Sequence, residues 1–163
     1  ALDAAAALGV PVVLMHMQGE PRSMQAAPQY DNVVGEVHRF LAERLFACEL
    51  AGIPKKKVIV DPGFGFAKDA EHNAVLMARF GELHALGFPL LAGTSRKRFL
   101  GYFTGRPVEA RDVATAASSA LLRAAGAAVL RVHDVAMNVD AAAVADVMIA
   151  AGRQGAGAGT ELA

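Results

Sequence analysis

Four glycines set the architecture of this chain. Gly9, Gly52, Gly87 and Gly126 each stand where a helix-patterned stretch stops, and each is followed within a few residues by an apolar, β-rich run. Glycine closes a helix in the left-handed conformation without a Cβ penalty, so the order reads as helix end, then strand. The pattern predicts helices over residues 2–8, 31–51, 71–86, 110–125 and 138–151, and strands over 10–15, 58–61, 88–92 and 128–132. Strand-plus-helix units repeating every ~40 residues call for parallel strands with helices outside them. The strands are continuously apolar, which fits a sheet covered on both faces. Four units make either a small doubly wound sheet or half of an eight-stranded barrel. A full barrel typically takes about 250 residues, and this chain has 163. Residues 1–152 are assigned to the α/β unit, and the Gly/Ala-rich tail 153–163 is expected to be disordered.

Charge is balanced, with 16 Lys plus Arg against 16 Asp plus Glu, so nothing calls for nucleic acid or an anionic membrane. No apolar run approaches the ~20 residues that span a bilayer, and the alanine-rich opening lacks the basic leader of a signal peptide. The single cysteine, Cys48, excludes an intramolecular disulfide. It reads as a small buried hydrophobe in a reducing, cytoplasmic setting.

The chemistry gathers at the carboxyl ends of the predicted strands, where parallel α/β folds bind their ligands. In order, those ends carry Met15-His16-Met17, Asp61, Ser95-Arg96-Lys97, and Arg131 with His133. The opposite ends hold Pro11, Lys57, Pro89 and Ala128. Asp61 ends a buried strand, Pro62 stops ladder pairing, and Gly63 and Gly65 let the backbone approach a ligand. An Asp-Pro-Gly turn alone is as easily a self-capping turn, but three other strands also end in reactive or charged side chains. Arg131 and His133 are two apart and share a side with Val129, while Leu130 and Val132 face helices. An inward guanidinium needs an anion. A pairing with Asp134 is one reading, and a phosphate or pyrophosphate suits Arg plus His better.

Gly93-Thr94-Ser95-Arg96-Lys97 adds a close-approach glycine, a hydroxyl and two cations; Arg98 reads as exposed. Phe64 and Phe66 fit a core, yet Phe66 lies in the glycine loop, where its ring could stack beside a flat ligand. Met15 is expected to face the ligand and His16 to be structural. His38, His72 and His84 lack metal-ligand spacing, and no dinucleotide or P-loop glycine pattern occurs.

Leu14-Met15-His16-Met17-Gln18-Gly19, Asp61-Pro62-Gly63-Phe64-Gly65-Phe66, Gly93-Thr94-Ser95-Arg96-Lys97 and Arg131-Val132-His133-Asp134-Val135 closely resemble four motifs of the dihydropteroate synthases, in that family's order and spacing. The resemblance implies a (β/α)₈ barrel, of which this chain covers the four units from the fifth strand onward. It implies joining of 6-hydroxymethyl-7,8-dihydropterin pyrophosphate to p-aminobenzoate, assisted by Mg²⁺, with sulfonamides occupying the p-aminobenzoate site. Asp61 would then bind the 2-amino/N3 edge of the pterin, with Met15 lining that pocket, Lys97 touching the pterin and Arg96 lying over the rings. Gly93 would give close approach, Ser95 and Phe66 would face p-aminobenzoate, and Arg131 and His133 would hold the pyrophosphate. Lys97, Arg131 and His133 are the implied catalytic residues. A homodimer through the helices of the last three βα units is implied as well.

Ala67 stands where the family commonly has glycine. The Mg²⁺-binding Asn and two mobile loops would belong to strands preceding this stretch. The half barrel is therefore expected to expose two sheet edges and part of a barrel interior, and to be inactive alone. Two alternatives remain: a pterin-binding methyltransferase, which should lack the Ser-Arg-Lys and Arg-x-His groups, and a non-catalytic half barrel acting as an interaction module.

Overall fold

The structure, a computed structural model, describes residues 1–19 and 28–157, with the backbone alone for 155–157. Helix α1 (Leu2–Leu8) ends at Gly9 and leads into β1 (Val12–Met15). Helix α2 (Val33–Leu50) starts where the Asn32 side chain accepts the Gly35 N–H and Glu36 accepts those of Asp31 and Asn32. Then follow β2 (Val58–Asp61), α3 (Ala70–Ala78), β3 (Leu91–Ala92), α4 (Arg98–Thr104), α5 (Asp112–Ala124), β4 (Val129–Leu130) and α6 (Val135–Gly157).

All strand pairs are parallel: β1 with β2, Val60 with Leu90 as a single bridge, and β3 with β4. The order β1-β2-β3-β4 follows the chain without a reversal. A doubly wound sheet reverses its strand order at a switch point, whereas a barrel adds each strand beside the last. The barrel reading therefore holds. One sheet face packs under the helices: Val58, Val60, Leu90 and Ala92 are buried, and Val60 and Leu90 join Val37, Leu41, Phe64, Phe80 and Leu122 in the main core. The other face carries Val13 paired with Ile59 and Leu91 paired with Val129; Val13 is 49% and Val129 36% exposed, Ile59 is half-buried and Leu91 is buried. A barrel interior partly facing solvent is what the half-barrel expectation requires.

Several expectations are corrected. The helix expected over 71–86 is two elements, α3 and a 3-10 segment Phe80–Leu86. Gly81 weakens a continuous α-helix, and a repeat of three lines Phe80 and Leu83 up on the core. Helix α4 was not expected at all; it buries Phe99 and Leu100 and ends at Gly105. The third and fourth strands are shorter than expected, although the Arg131 N–H still bonds to the Ala92 carbonyl 2.9 Å away. Helix α6 runs past Gly152 to Gly157, into the expected tail; residues 158–163 and the centre of the polar loop after His16 lie outside the described residues.

The expectation of no membrane-length apolar run also needs revision. Val135–Gln154 of α6 is long and apolar enough to cross a membrane by length and composition, with mean hydropathy 1.5, and only 11% of it is buried. Valines and alanines together supply that hydropathy, without forming an unbroken bulky run. Asp140 and Asp146 interrupt it, and Asp146 pairs with Arg123 of α5 at 2.6 Å. Such charges are costly in lipid, so the exposed side of α6 suits a protein surface better.

Candidate active site

The register that buries Val60 under the helices turns its neighbours the other way. Met15 pairs with Asp61 at the carboxyl end of β1 and β2, so both point into the open face. Leu91 and Val129 pair on that same face, and two residues further along each strand come Gly93 and Arg131. A Cβ at Gly93 would sit 3.4 Å from Arg131 Nε, so glycine here lets the guanidinium lie against the backbone. Met15, Asp61, Gly93 and Arg131 thus share one mouth, as their alternation predicts.

Asp61 is buried, and its Oδ1 accepts the Gly63 N–H at 2.8 Å. Burial raises its pKa above the ordinary aspartate value; the Gly63 bond, then Lys97, Arg131 and Lys68, pull the other way. Gly63 has φ 70°, and a Cβ there would meet the His16 carbonyl oxygen at 1.9 Å. Only glycine fits that crossing of the two strand exits. Ala67, the departure in the glycine loop, is buried with φ 48°, a strain of about 1–2 kcal/mol that the surrounding packing holds.

Lys97 folds back over this loop. Its Nζ donates to the Phe64 carbonyl and lies 4.4 Å from the centre of the Phe66 ring. Burial, reinforced by Arg131 and opposed by Asp61, lowers its pKa to about 8. Phe66 is half-buried at the mouth, whereas Phe64 is core, packed on Phe80 and Phe99.

Ser95 and His133 meet directly. Ser95 Oγ lies 2.7 Å from His133 Nδ1 and accepts the His133 backbone N–H at 3.1 Å. With the hydroxyl proton directed to Nδ1, a neutral ring carries its own proton on Nε2, free to donate to an anion. Ser95 thereby orients His133, a task its sequence position did not announce. Arg131 is exposed; beyond the backbone bond to Ala92, its guanidinium makes no hydrogen bond or ion pair among the described residues. Asp134, the alternative partner, instead accepts the Met137 N–H at the start of α6. The mouth presents an unpaired guanidinium beside an imidazole.

His16 is structural, as expected. It is buried between Tyr30 and Phe40, and burial and then Lys68 lower its pKa to about 3. Lys68 was overlooked. Its Nζ reaches His16 Nδ1 at 2.9 Å and donates to the carbonyls of Gly63 at 3.0 Å and Phe66 at 3.1 Å. Asn73 ties the same loop from α3, accepting the Gly65 N–H at 2.8 Å. Asp112 was overlooked too, and it grips Arg96 with both oxygens. A lysine directly after a glycine loop was the available signal for the first; the second had none beyond an acid opening a helix.

A groove of about 910 Å³ runs outside the mouth between α3 and α4, sharing Gly65 and Lys97 with it. Among the described residues no three His, Cys, Asp or Glu side chains converge as metal ligands.

Residues 1–133 match a family model described as pterin binding enzyme. Dihydropteroate synthase of Escherichia coli strain K12 is 45% identical over 151 residues, covering 93% of this chain and 54% of that protein. The crystal structure of dihydropteroate synthase from Stenotrophomonas maltophilia with active site-bound imidazole superposes with a TM-score of 0.87 at 55% identity, over 90% of this chain and 56% of that one. The Xanthomonas albilineans dihydropteroate synthase in complex with 7,8-dihydropteroate gives 0.83 at 51% identity, over 90% and 55%. The chain spans about half the length of the curated relatives it matches.

Proposed function

The chain belongs to the family of pterin-binding enzymes, and we propose that it forms the carboxyl-terminal half of a dihydropteroate synthase barrel. The reaction joins 6-hydroxymethyl-7,8-dihydropterin pyrophosphate to p-aminobenzoate. The amine nitrogen attacks the pterin methylene carbon, the carbon–oxygen bond to pyrophosphate breaks, and the amine loses one proton. No protein nucleophile is needed.

One observation carries this reading: a buried carboxylate and an unpaired Arg131 with His133 stand on one strand-end face. A carboxylate matches the donor-only edge of a 2-aminopterin, and Met15 lines that pocket. Lys97 and Phe66 border the flat slot where the pterin and p-aminobenzoate meet, with Gly93 allowing close approach. Arg131 and the His133 Nε2–H stabilise the charge growing on the departing pyrophosphate. A methyltransferase substrate carries no pyrophosphate and gives these two groups nothing to do. Mg²⁺ belongs to this proposal by family resemblance alone, with its protein ligand assigned to the other half of the barrel. No step here is routed through it. A cytoplasmic setting is part of the same proposal, supported only by the lone, buried Cys48.

Pyrophosphate release from the two substrates with Mg²⁺ tests the proposal, using the chain alone and with the other barrel half supplied as a separate polypeptide. Turnover is expected only in the mixture. Turnover by the chain alone would refute the dependence on the other half, and silence from a folded mixture would refute the synthase reading.

The same proposal includes a homodimer. Tyr102 of α4, Val113 and Leu121 of α5, and Val144, Val147 and Met148 of α6 are exposed apolar side chains on the last helices. Sedimentation equilibrium is expected to show a dimer, and Val147→Glu, placing a charge on that face, to shift it to monomer. An unshifted dimer would move the contact elsewhere.

A further inference from the structure

Residues 94–97 form a turn with an unusual third position. The Lys97 N–H donates to the Thr94 carbonyl at 3.1 Å, which closes a four-residue turn. Within it Arg96 has φ 55°, while Ser95 keeps a negative φ. A turn with positive φ only at its third residue selects glycine or asparagine there. The Cβ of arginine disfavours this conformation, so other groups must hold it.

Those groups come from the amino end of α5 and the residue before it. The Arg96 N–H donates to Thr115 Oγ1 at 3.1 Å, and the Arg96 carbonyl accepts from Arg111 Nη1 at 3.1 Å. The guanidinium donates through Nε and Nη2 to the two oxygens of Asp112 at 2.7 and 2.8 Å. Thr94 is tied to the same helix. Ser118 Oγ donates to the Thr115 carbonyl at 2.7 Å, so the buried Thr94 hydroxyl donates to Ser118 Oγ, also at 2.7 Å. Thr94 and Arg96 therefore face α5, and the residues flanking Arg96 face the mouth. Ser95 Oγ meets His133 Nδ1 at 2.7 Å. Lys97 crosses the glycine loop, where a Cβ at Gly65 would lie 2.9 Å from its Cδ, and its ammonium sits 4.4 Å from the Phe66 ring centre.

We propose that Arg96 is a positioning residue: its left-handed turn, clamped from the start of α5, aims Ser95 at His133 and Lys97 across the glycine loop. This deepens the synthase reading above and rests on it for what the mouth binds. Arginine adds to the turn an anchor on Asp112 that glycine would lack. Its guanidinium works on the α5 side, and the proposal asks no ligand contact of it.

The test compares Arg96→Gly, Arg96→Ala and Arg96→Lys. All three lose the paired bonds to Asp112, but only glycine takes the left-handed turn without a Cβ penalty. Binding of inorganic pyrophosphate to the two-half assembly used for turnover is expected to weaken about threefold with glycine and about twentyfold with alanine. Lysine, which keeps the charge, should bind no better than alanine. A cation that touched the anion would reverse that order, with lysine best and glycine and alanine equally weak. The nitrogen-15 spectrum of the His133 ring reads the same turn without any ligand. A bonded Ser95 keeps the ring proton on Nε2, so wild type and Arg96→Gly are expected to show one tautomer, and Arg96→Ala a mixture like that of Ser95→Ala. A role in general packing would lower stability and leave the tautomer fixed. Equal loss with glycine and alanine, recovery with lysine, or a tautomer unmoved in Arg96→Ala would overturn the proposal. A wild-type assembly that binds no pyrophosphate would overturn the synthase reading instead, and the tautomer order would still decide the role of Arg96.

Discussion

Asp61→Asn is expected to lower pterin affinity, and turnover with it, at least about a hundredfold at neutral pH. The side chains are nearly isosteric, so the loss comes from polarity. A 2-amino/N3 edge presents two donors; a carboxylate accepts both, whereas a carboxamide meets one of them with its own NH₂. The substitution also removes an anion on which Lys68, Lys97 and Arg131 all bear. Two of those cations are buried deeply enough that burial lowers their pKa values. The pH dependence separates this role from a structural one. Burial raises the Asp61 pKa, so the fold by itself favours the neutral acid, and this group's contribution to stability declines as pH rises from its ordinary value through the raised one. Ligand binding requires the opposite, ionised form. Pterin affinity in the wild type should therefore fall on acidification through a value above the ordinary aspartate range. The Asn variant should show weak binding without that limb. Titration calorimetry across the acid range checks both, and binding by the variant within threefold of wild type would remove Asp61 from the pterin site.

Much of this site was legible because period-two alternation is a local property. Once Val58–Asp61 is read as a strand, Asp61 must face away from Val60, and Met15, Gly93 and Arg131 follow from the same rule on their own strands. The glycine punctuation was equally local, and Gly9, Gly87 and Gly126 do close their helical segments with positive φ. What failed depended on packing. Helix α4 contains Gly101 and three aromatic residues in seven, a poor helix by propensity, and it exists because Phe99 and Leu100 find the core. The break before Phe80 follows the cavity that Phe80 and Leu83 fill. Arg96 and Asp112 are joined by two hydrogen bonds across |i−j|=16, and no spacing rule links them. The bond between Ser95 and His133 is of the same kind, joining residues that no spacing rule links.

The largest effect on stability is expected at Lys68, where opposing terms are large and the sign can be worked out. Its ammonium is buried with three acceptors around it: His16 Nδ1 and the carbonyls of Gly63 and Phe66. Lys68→Met fits the volume and removes the cost of burying a charge, but it leaves those three acceptors unpaired in the core. At about 1–3 kcal/mol for each orphaned group, offset by the relief of desolvation, a net destabilisation of about 2–4 kcal/mol is expected. The glycine loop should loosen as well, since Gly63 and Phe66 lose their common anchor. Burial lowers the Lys68 pKa from 10.5 to about 7, so above that pH the unfolded chain holds a proton that the folded one releases. Wild-type stability should accordingly rise with pH from about 7 towards the ordinary lysine value of 10.5. His16, neutral down to about 3, adds a rise of the same sign below its ordinary value of 6.5. In Lys68→Met the rise beginning near pH 7 should vanish, leaving the later one that Lys97 starts near 8. Urea unfolding at several pH values measures all of this. A variant as stable as wild type would mean that desolvation outweighs the three hydrogen bonds. An unchanged pH profile would mean that Lys68 keeps its proton throughout, with Asp61 as its counter-charge.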